Sequence, residues 1–512
     1  MADQLGTFKL YCRGGLNTSR DVLSQGEESA GSAIRLINYE AAVTGGYRRI
    51  NGFSNSYGTV PGVDNVLGVF VANNINDGIL ACRKPQSGYN YLHYWNNSTS
   101  AWVAVTSAGT PTMVGVTKVR FSKLNWGSPK VILTDGVNPA AVYDGTTYTQ
   151  ITAATAPNNP KYSSAFQNQL FLAGDSTDPQ NVYFSSPLAE SDFLPANGAG
   201  VINVGFDVVQ IKPFRDALYI FGINNIKKLT GNNIANFVLE NVTSDLGCMA
   251  SDSVIELGGD LLFLSQDGFR PISGTSKIGD VNIETISKDI QSIFTEIVFD
   301  VDLEGLSAVV IKQKSQFRLF FAAADSQGII GGIRQGQDGL GFEFGQLLGI
   351  EATCAASGYI GQYEYVIHGD ISGKVHRQEV GFSFNAEPIF SLYQTPYLHM
   401  EDPEIRKIFY NVSTYLRAEG DNELILSIVY DYEDYDTLSP SNYTLTTTGA
   451  AAYYNESFYD GTSIFDGNPS PVQRTNISGS GKSVSFKYVT NDTNASHSIQ
   501  GIVVTYGQGD RL

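Results

Sequence analysis

Carboxylates placed just after apolar runs are the residues of this sequence whose types and spacing could do chemistry. Asp135-Gly136, Asp267-Gly268 and the Asp370…Gly373 turn each follow such a run. If strands of one repeat carried them to a common axis, two could serve as acid and base on a glycosidic bond. The same residues are also turn chemistry, because glycine tolerates positive φ and aspartate bonds its own backbone. Three of them at one place in a repeat favour the turn. A second cluster, DYEDYD, gathers Asp431, Glu433, Asp434 and Asp436. Hard cations take oxygen ligands, but the run lacks the glycine and terminal glutamate of an EF-hand and reads as a solvated acidic loop. His93, His368, His376, His399 and His497 form no HExxH or H-x-H pair, and neither a Walker A run nor a GxSxG elbow is present. The expectation is a chain with no catalytic set, no metal and no cofactor.

Cys12, Cys82, Cys248 and Cys354 are far apart and make no CxxC pair. They read as buried free thiols of a protein made in a reducing cytosol. The opening MADQLGTFKL has no apolar signal-peptide core, and no run approaches the ~18 apolar residues of a membrane span. The Asn-x-Ser/Thr triplets are therefore not expected to be glycosylated.

Several elements must position these residues. From Val208 to Ser273 one plan occurs twice: an alternating strand (Val208–Pro213; Ser253–Leu257), a polar turn, a continuous apolar strand (Ala217–Gly222; Leu261–Ser265), a turn and a third strand. A continuous apolar strand is buried on both faces, so it lies inside a stack of sheets. Related runs recur at LGVFVANN with Tyr89–Val105, at TKVRFSKL to AAVYDG, at SSAFQNQLFLAG, at LSAVVIKQKSQFRLFF with Gly328–Gly345, and at YIGQYEYVIHGDISGKVHRQE. Spacings of roughly 40 to 57 residues predict an irregular β-propeller. The totals agree with an all-β class: 53 Gly, 28 Tyr and 28 Phe with only 16% charged residues. A formal charge of −18 argues against a clamp held on phosphates and suits a wall past which DNA slides.

Three regions follow. Residues 1–60 form an N-terminal arm, 61–385 the propeller, and 386–512 a C-terminal antiparallel β-sandwich or platform domain that packs with the arm. Gly14-Gly15 and Gly45-Gly46 interrupt the arm. Its anchors for a partner or neighbouring subunit are Arg13, Leu16, Asn17, Tyr47, Arg48 and Arg49; the alternative is that the arm closes its own domain. One helix is expected, capped by Ser287, with Ile290, Ile293, Phe294 and Ile297 as its apolar stripe. The polar stretch Leu438–Ser480 is long for a loop.

GGLNTSRDVLSQGEES with GGYRRINGF, then VILTDGVNPAAVYDG, NVYFSSPLAESDF, VVQIKPFRDALYIFG, DLGCMASDSVIELGGDLLFLSQDGF and SIQGIVVTYGQGDR, resemble in their order the nozzle or hub proteins of short-tailed bacteriophages, the tail tubular protein B and packaged-DNA stabilisation type. The resemblance runs from about Gly14 to Arg511. It implies a propeller with a platform domain, a homohexameric ring below the portal and its adaptor, and a channel for DNA ejection that retains packaged DNA. It also implies tail fibres or tip proteins bound outside, and a place in the virion after assembly in the host cytoplasm. Two other readings remain open. A carbohydrate-binding or polysaccharide-degrading propeller would use Tyr89, Tyr91, Tyr94, Trp95 and Trp102 to stack on sugars, although cross-strand pairs in a hairpin are the commoner explanation of such aromatics. A baseplate or collar protein of a longer tail has the same composition.

Overall fold

The computed structural model describes residues 5–275, 285–300, 302–321, 326–336, 339–434, 437, 439–447 and 471–508. They are almost all β, and six sheets are arranged as the blades of a propeller, antiparallel but for Thr106–Ala108, which adds parallel to the edge of the second. The first blade comprises Val63–Val71, Ile79–Lys84, Leu92–Asn96 and Ala101–Ala104. The second runs from Arg120–Trp126 through Ser128–Thr134 and Ala141–Tyr143 to Thr147–Gln150. The third starts at Tyr162–Phe166 and the fourth at Gln210–Phe214, each with four strands. The fifth has three: Ile255–Leu257, Asp260–Ser265 and Gly268–Pro271. The sixth joins Cys354–Ile360, Tyr363–Gly369 and Val375–Gln378 to a strand from far upstream, Phe53–Ser54.

Between the fifth and sixth blades stands a meander, Ser307–Ile311, Gln316–Phe320, Gln327–Gly336 and Gly339–Leu348. Its first strand packs on the innermost strands of both neighbours. Its last strand continues into a nine-stranded sheet with Arg35–Ile37, Ile389–Gln394, Val484–Asp492, Asn422–Tyr430 and Tyr443–Thr447. The meander is therefore both a sector of the ring and part of the platform.

The second strand of each unit is the buried one, as its unbroken apolar character requires: Gln169–Ala173 and Gln316–Phe320 are enclosed throughout. Separate apolar clusters fill the spaces between blades. Leu80 meets Leu133 between the first and second, Ile132 meets Leu172 between the second and third, and Phe221 meets Phe263 between the fourth and fifth. Val69 with Ile367 closes the ring between the sixth and the first.

The platform's other sheet is built on His497–Gln508, flanked by Lys407–Ala418 on one edge. Its opposite edge takes two pieces of the arm, Leu5–Tyr11 and Tyr47–Arg49. The two sheets share one apolar core containing Tyr39, Val412, Leu426, Tyr488 and Ile502. Burial alternates strictly along Asn422–Tyr430 and, on either side of a bulge between Phe409 and Asn411, along Lys407–Ala418, which gives each strand one dry and one wet face. Residues 386–512 thus do not make the platform alone: the arm supplies strands to both sheets. Gly46 shows why that segment is glycine-rich. It has φ of +85°, and a Cβ there would lie 2.3 Å from the Ile499 carbonyl oxygen.

The expected helix is present as a 3-10 turn, Lys288–Ile290, leading into Gln291–Asp300. Ile290 and Phe294 are buried, and Phe294 meets Phe269 edge-on at 5.5 Å. Ser287 does not cap it; its hydroxyl accepts from the Phe269 backbone N–H at 3.0 Å instead. The Ile297 side chain lies outside the described residues. Among those described, no helix is long and apolar enough to cross a membrane.

Candidate functional site: the arm and the central channel

The arm residues separate into two groups. Leu16, Asn17, Tyr47 and Arg49 are enclosed within the chain itself, and Arg48 is half-buried. Arg49, 1% exposed, donates to the Asp492 carboxylate at 2.6 Å and to the carbonyls of Ile389 at 3.0 Å and Asn494 at 3.3 Å. Arg48 forks onto Glu419 with two bonds of 2.6 Å and reaches Glu40 at 3.2 Å. Tyr47 accepts from the Gly15 N–H and donates to the Gly31 carbonyl. As partner anchors these positions are therefore corrected: burial commits them to holding the arm on its own platform. Only Arg13 is exposed. It lines a groove of about 940 Å³ with Asn17, Arg20, Glu343 and Arg334.

A buried ionic network, which no motif announced, joins arm, meander and sixth blade. Glu40 receives Lys314 at 2.7 Å and Gln316 at 3.1 Å and lies 3.8 Å from Arg318. Arg318 and Lys314 also bind Glu379. Burial alone would raise the Glu379 pKa, but Arg318 and Lys314 outweigh it and hold the carboxyl down at about 2. Nearby, His376 bonds Asp370 at 2.9 Å and stacks on His368, while Phe53 of the arm packs against both rings at 4.9 Å. Burial drives His368 well below the ordinary histidine range, so it is neutral.

The aspartates that could have met at an axis do not. Asp135 accepts from the N–H groups of Val137 and Asn138 and from the Asn138 amide. Asp267 pairs with Arg270 and accepts from Thr285. Asp370 takes Ser372, Lys374 N–H and His376. Each carboxylate is occupied by its own turn between the second and third strands of its unit. In the acidic run, Asp431 accepts from the N–H groups of Lys482 and Ser483. Glu433 and Asp434 are exposed, and Asp436 lies outside the described residues. Among the described residues no cluster could hold a metal ion. The Leu438–Ser480 stretch falls mostly outside them as well. Trp95 and Trp102 are directly opposed across their hairpin at 5.5 Å, which is cross-strand packing, and Tyr91 is buried against Tyr148 of the second blade, which is packing between blades. Tyr89 alone of that group is exposed.

What does face the axis is a cavity of about 520 Å³ lined by the innermost strands of all six blades and the meander. Where those strands begin, Arg120 of the second blade makes two 2.9 Å bonds to Asp252 ahead of the fifth, joined by Lys118 at 2.8 Å. Lys118 also donates to the Leu306 carbonyl, and Arg120 lies 5.3 Å over the Tyr162 ring. Burial would raise the Asp252 pKa, but Arg120 and Lys118 keep it far below the carboxylate range. This cluster braces opposite sides of the ring. Where the strands end, Lys123, Lys212 and Lys312 line the same cavity with Glu256, and the Glu364 carboxylate accepts from the Lys312 and Gln313 backbone N–H groups. The lining thus holds five cations and two anions, in a chain of net charge −18. Hydroxyls of Ser122 and Ser163, 2.8 Å apart, and the Gln210 side chain complete its polar surface. Sequence reading missed these residues because each is an ordinary polar position on an alternating strand; only ring closure brings them together.

No family model and no curated protein matches the chain. Similar solved structures include Hsv2 of Kluyveromyces lactis (9% identity, TM-score 0.33, 56% of this chain and 99% of that one). Another is the extracellular domain of a putative hybrid two-component system of B. thetaiotaomicron (11%, 0.40, 73% and 45%). A third is an ancestral GH74 enzyme (10%, 0.39, 73% and 53%). At TM-scores of 0.40 and below, these likenesses carry no argument about activity, ligand or partner.

Proposed function

We propose that this chain is a structural virion protein of a phage tail: one subunit of a homohexameric nozzle or hub that continues the DNA-ejection channel below the portal and adaptor and retains packaged DNA. The observation that carries the reading is the ordered sequence resemblance from Gly14 to Arg511. The geometry supports it in one respect. The segments that carry the resemblance include those that fuse platform and propeller: Tyr47–Arg49 in one platform sheet, Phe53 in the sixth blade, and His497–Gln508 along the arm. A ring subunit that bears the pressure of packaged DNA needs two bodies that do not move against each other, and the Glu40–Arg318–Glu379 network supplies that. DNA passes without sequence-specific contact, while adaptor, fibres or tip proteins dock on the outside.

In this reading the chain is not an enzyme. A depolymerase needs two accessible carboxylates in one pocket. Of the two in the channel, Asp252 is bound by Arg120 and Lys118, which leaves Glu256. Mass photometry of the purified chain, alone and with the adaptor, tests the proposal. A hexamer in either condition supports it. A persistent monomer or trimer in both, or clearing of capsular polysaccharide in a turbidity assay, overturns it.

A further inference from the structure

The three lysines at the strand-end mouth of the channel have no partner that explains them. Among the described residues no ion pair holds the ammonium of Lys123, Lys212 or Lys312, whereas Lys84, Lys118, Lys130, Lys161, Lys228 and Lys314 are all in ion pairs; the Glu364 carboxylate beside Lys312 is taken by the backbone N–H groups of Lys312 and Gln313. Lys212 is the most confined. It projects from the innermost strand of the fourth blade into the cavity; burial depresses its ammonium pKa, Lys312 adds to the depression, and Glu256 and Asp252 oppose it. Lys312 lies 6.0 Å over the Tyr359 ring, a weak attraction that is no ion pair. Lys123 and Lys312 are exposed at this mouth and Lys212 is half-buried, so three ammoniums repel one another where an anionic ligand from solvent would neutralise them.

We propose that this mouth of the channel is a binding site for a small multivalent oxyanion of the phosphate type. The choice of phosphate over carboxylate follows from the donors. Planar carboxylates are best held by the arginine fork, and the channel's one arginine is already forked onto Asp252. What remains are lysine point charges and the Ser122–Ser163 hydroxyl pair, which suit a tetrahedral oxyanion approached from several sides; the Gln210 amide is held by the Ser251 carbonyl and the Ile211 N–H. The site is closed at its far end by the Lys118–Asp252–Arg120 cluster, so a ligand enters from the strand-end face. The inference does not depend on ring assembly, and its failure leaves the nozzle proposal untouched.

The test is isothermal titration of the full chain with pyrophosphate at constant ionic strength, against sodium chloride and against tricarballylate as a three-carboxylate probe. Pyrophosphate should bind, and tricarballylate should bind at least about tenfold more weakly. Lys212→Gln and Lys312→Gln should each weaken pyrophosphate about tenfold, and Lys228→Gln, which removes an ion-paired lysine on the fourth blade away from the channel, should not. Without ligand, Lys212→Gln should melt at or above the wild-type temperature, because a crowded charge is removed. Equal binding of the two probes overturns the phosphate assignment. No heat beyond the chloride control, or affinity unchanged in both channel variants, overturns the site.

Discussion

Replacing Arg49 with methionine tests whether the paired arginines of the arm are internal fasteners. The guanidinium is 1% exposed and bonds one carboxylate and the carbonyls of Ile389, Asn494 and Asp492. Removing one member of a buried pair costs about 3–5 kcal/mol, chiefly because the other charge stays behind unpaired. Asp492 is 22% exposed and keeps a bond from the Asn494 N–H, so it partly recovers its hydration. The Ile389 carbonyl, by contrast, loses its bond in a dry place. The expected loss is therefore at the low end, about 3 kcal/mol, a large share of the 5–15 kcal/mol typical of a folded domain. Urea unfolding followed by tryptophan fluorescence and by far-ultraviolet circular dichroism reads it. The platform is expected to lose structure first, so the two transitions should separate, because all three tryptophans (Trp95, Trp102 and Trp126) lie in the propeller. Arg13→Met, at an exposed position, should change stability by less than about 0.5 kcal/mol. A loss below about 1 kcal/mol for Arg49→Met would refute the fastener argument.

Phe53→Ala removes a ring stacked on Phe384 at 5.1 Å and edge-on to two histidines; a cost of about 3–5 kcal/mol is expected, with the sixth blade losing hydrogen-exchange protection before the others. Glu379 has its folded pKa held at about 2, below its unfolded value of about 4.3, so its contribution is complete above that value and lost as pH falls through the folded pKa. Urea midpoints measured from pH 6 down to pH 2.5 should fall less steeply for Glu379→Gln than for wild type; parallel curves would count against the network. All four cysteines are buried, with burial pushing Cys12 and Cys248 up to about 12 and Cys354 to about 11. None should react with an aromatic disulfide reagent at neutral pH until urea is added, and rapid labelling of any of them in buffer would contradict the packing.

The propeller was legible because its signal is local. An unbroken apolar strand such as Leu261–Ser265 cannot face water on either side, and its recurrence marks the blades one by one. The limits of the strands were less legible: Ser253 belongs to a 3-10 turn, and the expected strand begins at Ile255. The Asp-Gly positions were read correctly as turns, though Asp135 and Asp370 head longer turns than the two-residue hairpin. What local patterning cannot carry is closure. Nothing in the spacing of Phe53 shows that it completes a blade begun at Cys354, or that Arg49 meets Asp492. For the same reason nothing in the sequence marks the channel lysines, and the arm's arginines could be read as partner anchors as well as closers of their own domain.

The route of the arm also bears on how the protein is made. Phe8 is paired with Val504, and the sixth blade is unfinished until Val375–Gln378 has been synthesised to receive Phe53–Ser54. Early translation therefore yields a segment whose sheet partners do not yet exist. Domains usually fold in the order in which they leave the ribosome, but in this chain the platform must wait until His497–Gln508 has been synthesised. Contacts of such separation make folding slow and expose strand edges meanwhile. A ribosome that stops early would release a chain that lacks His497–Gln508, and so lacks the strand on which both pieces of the arm settle. Only a subunit translated past that strand can complete its platform, so truncated copies would be excluded from any assembly that recognises it.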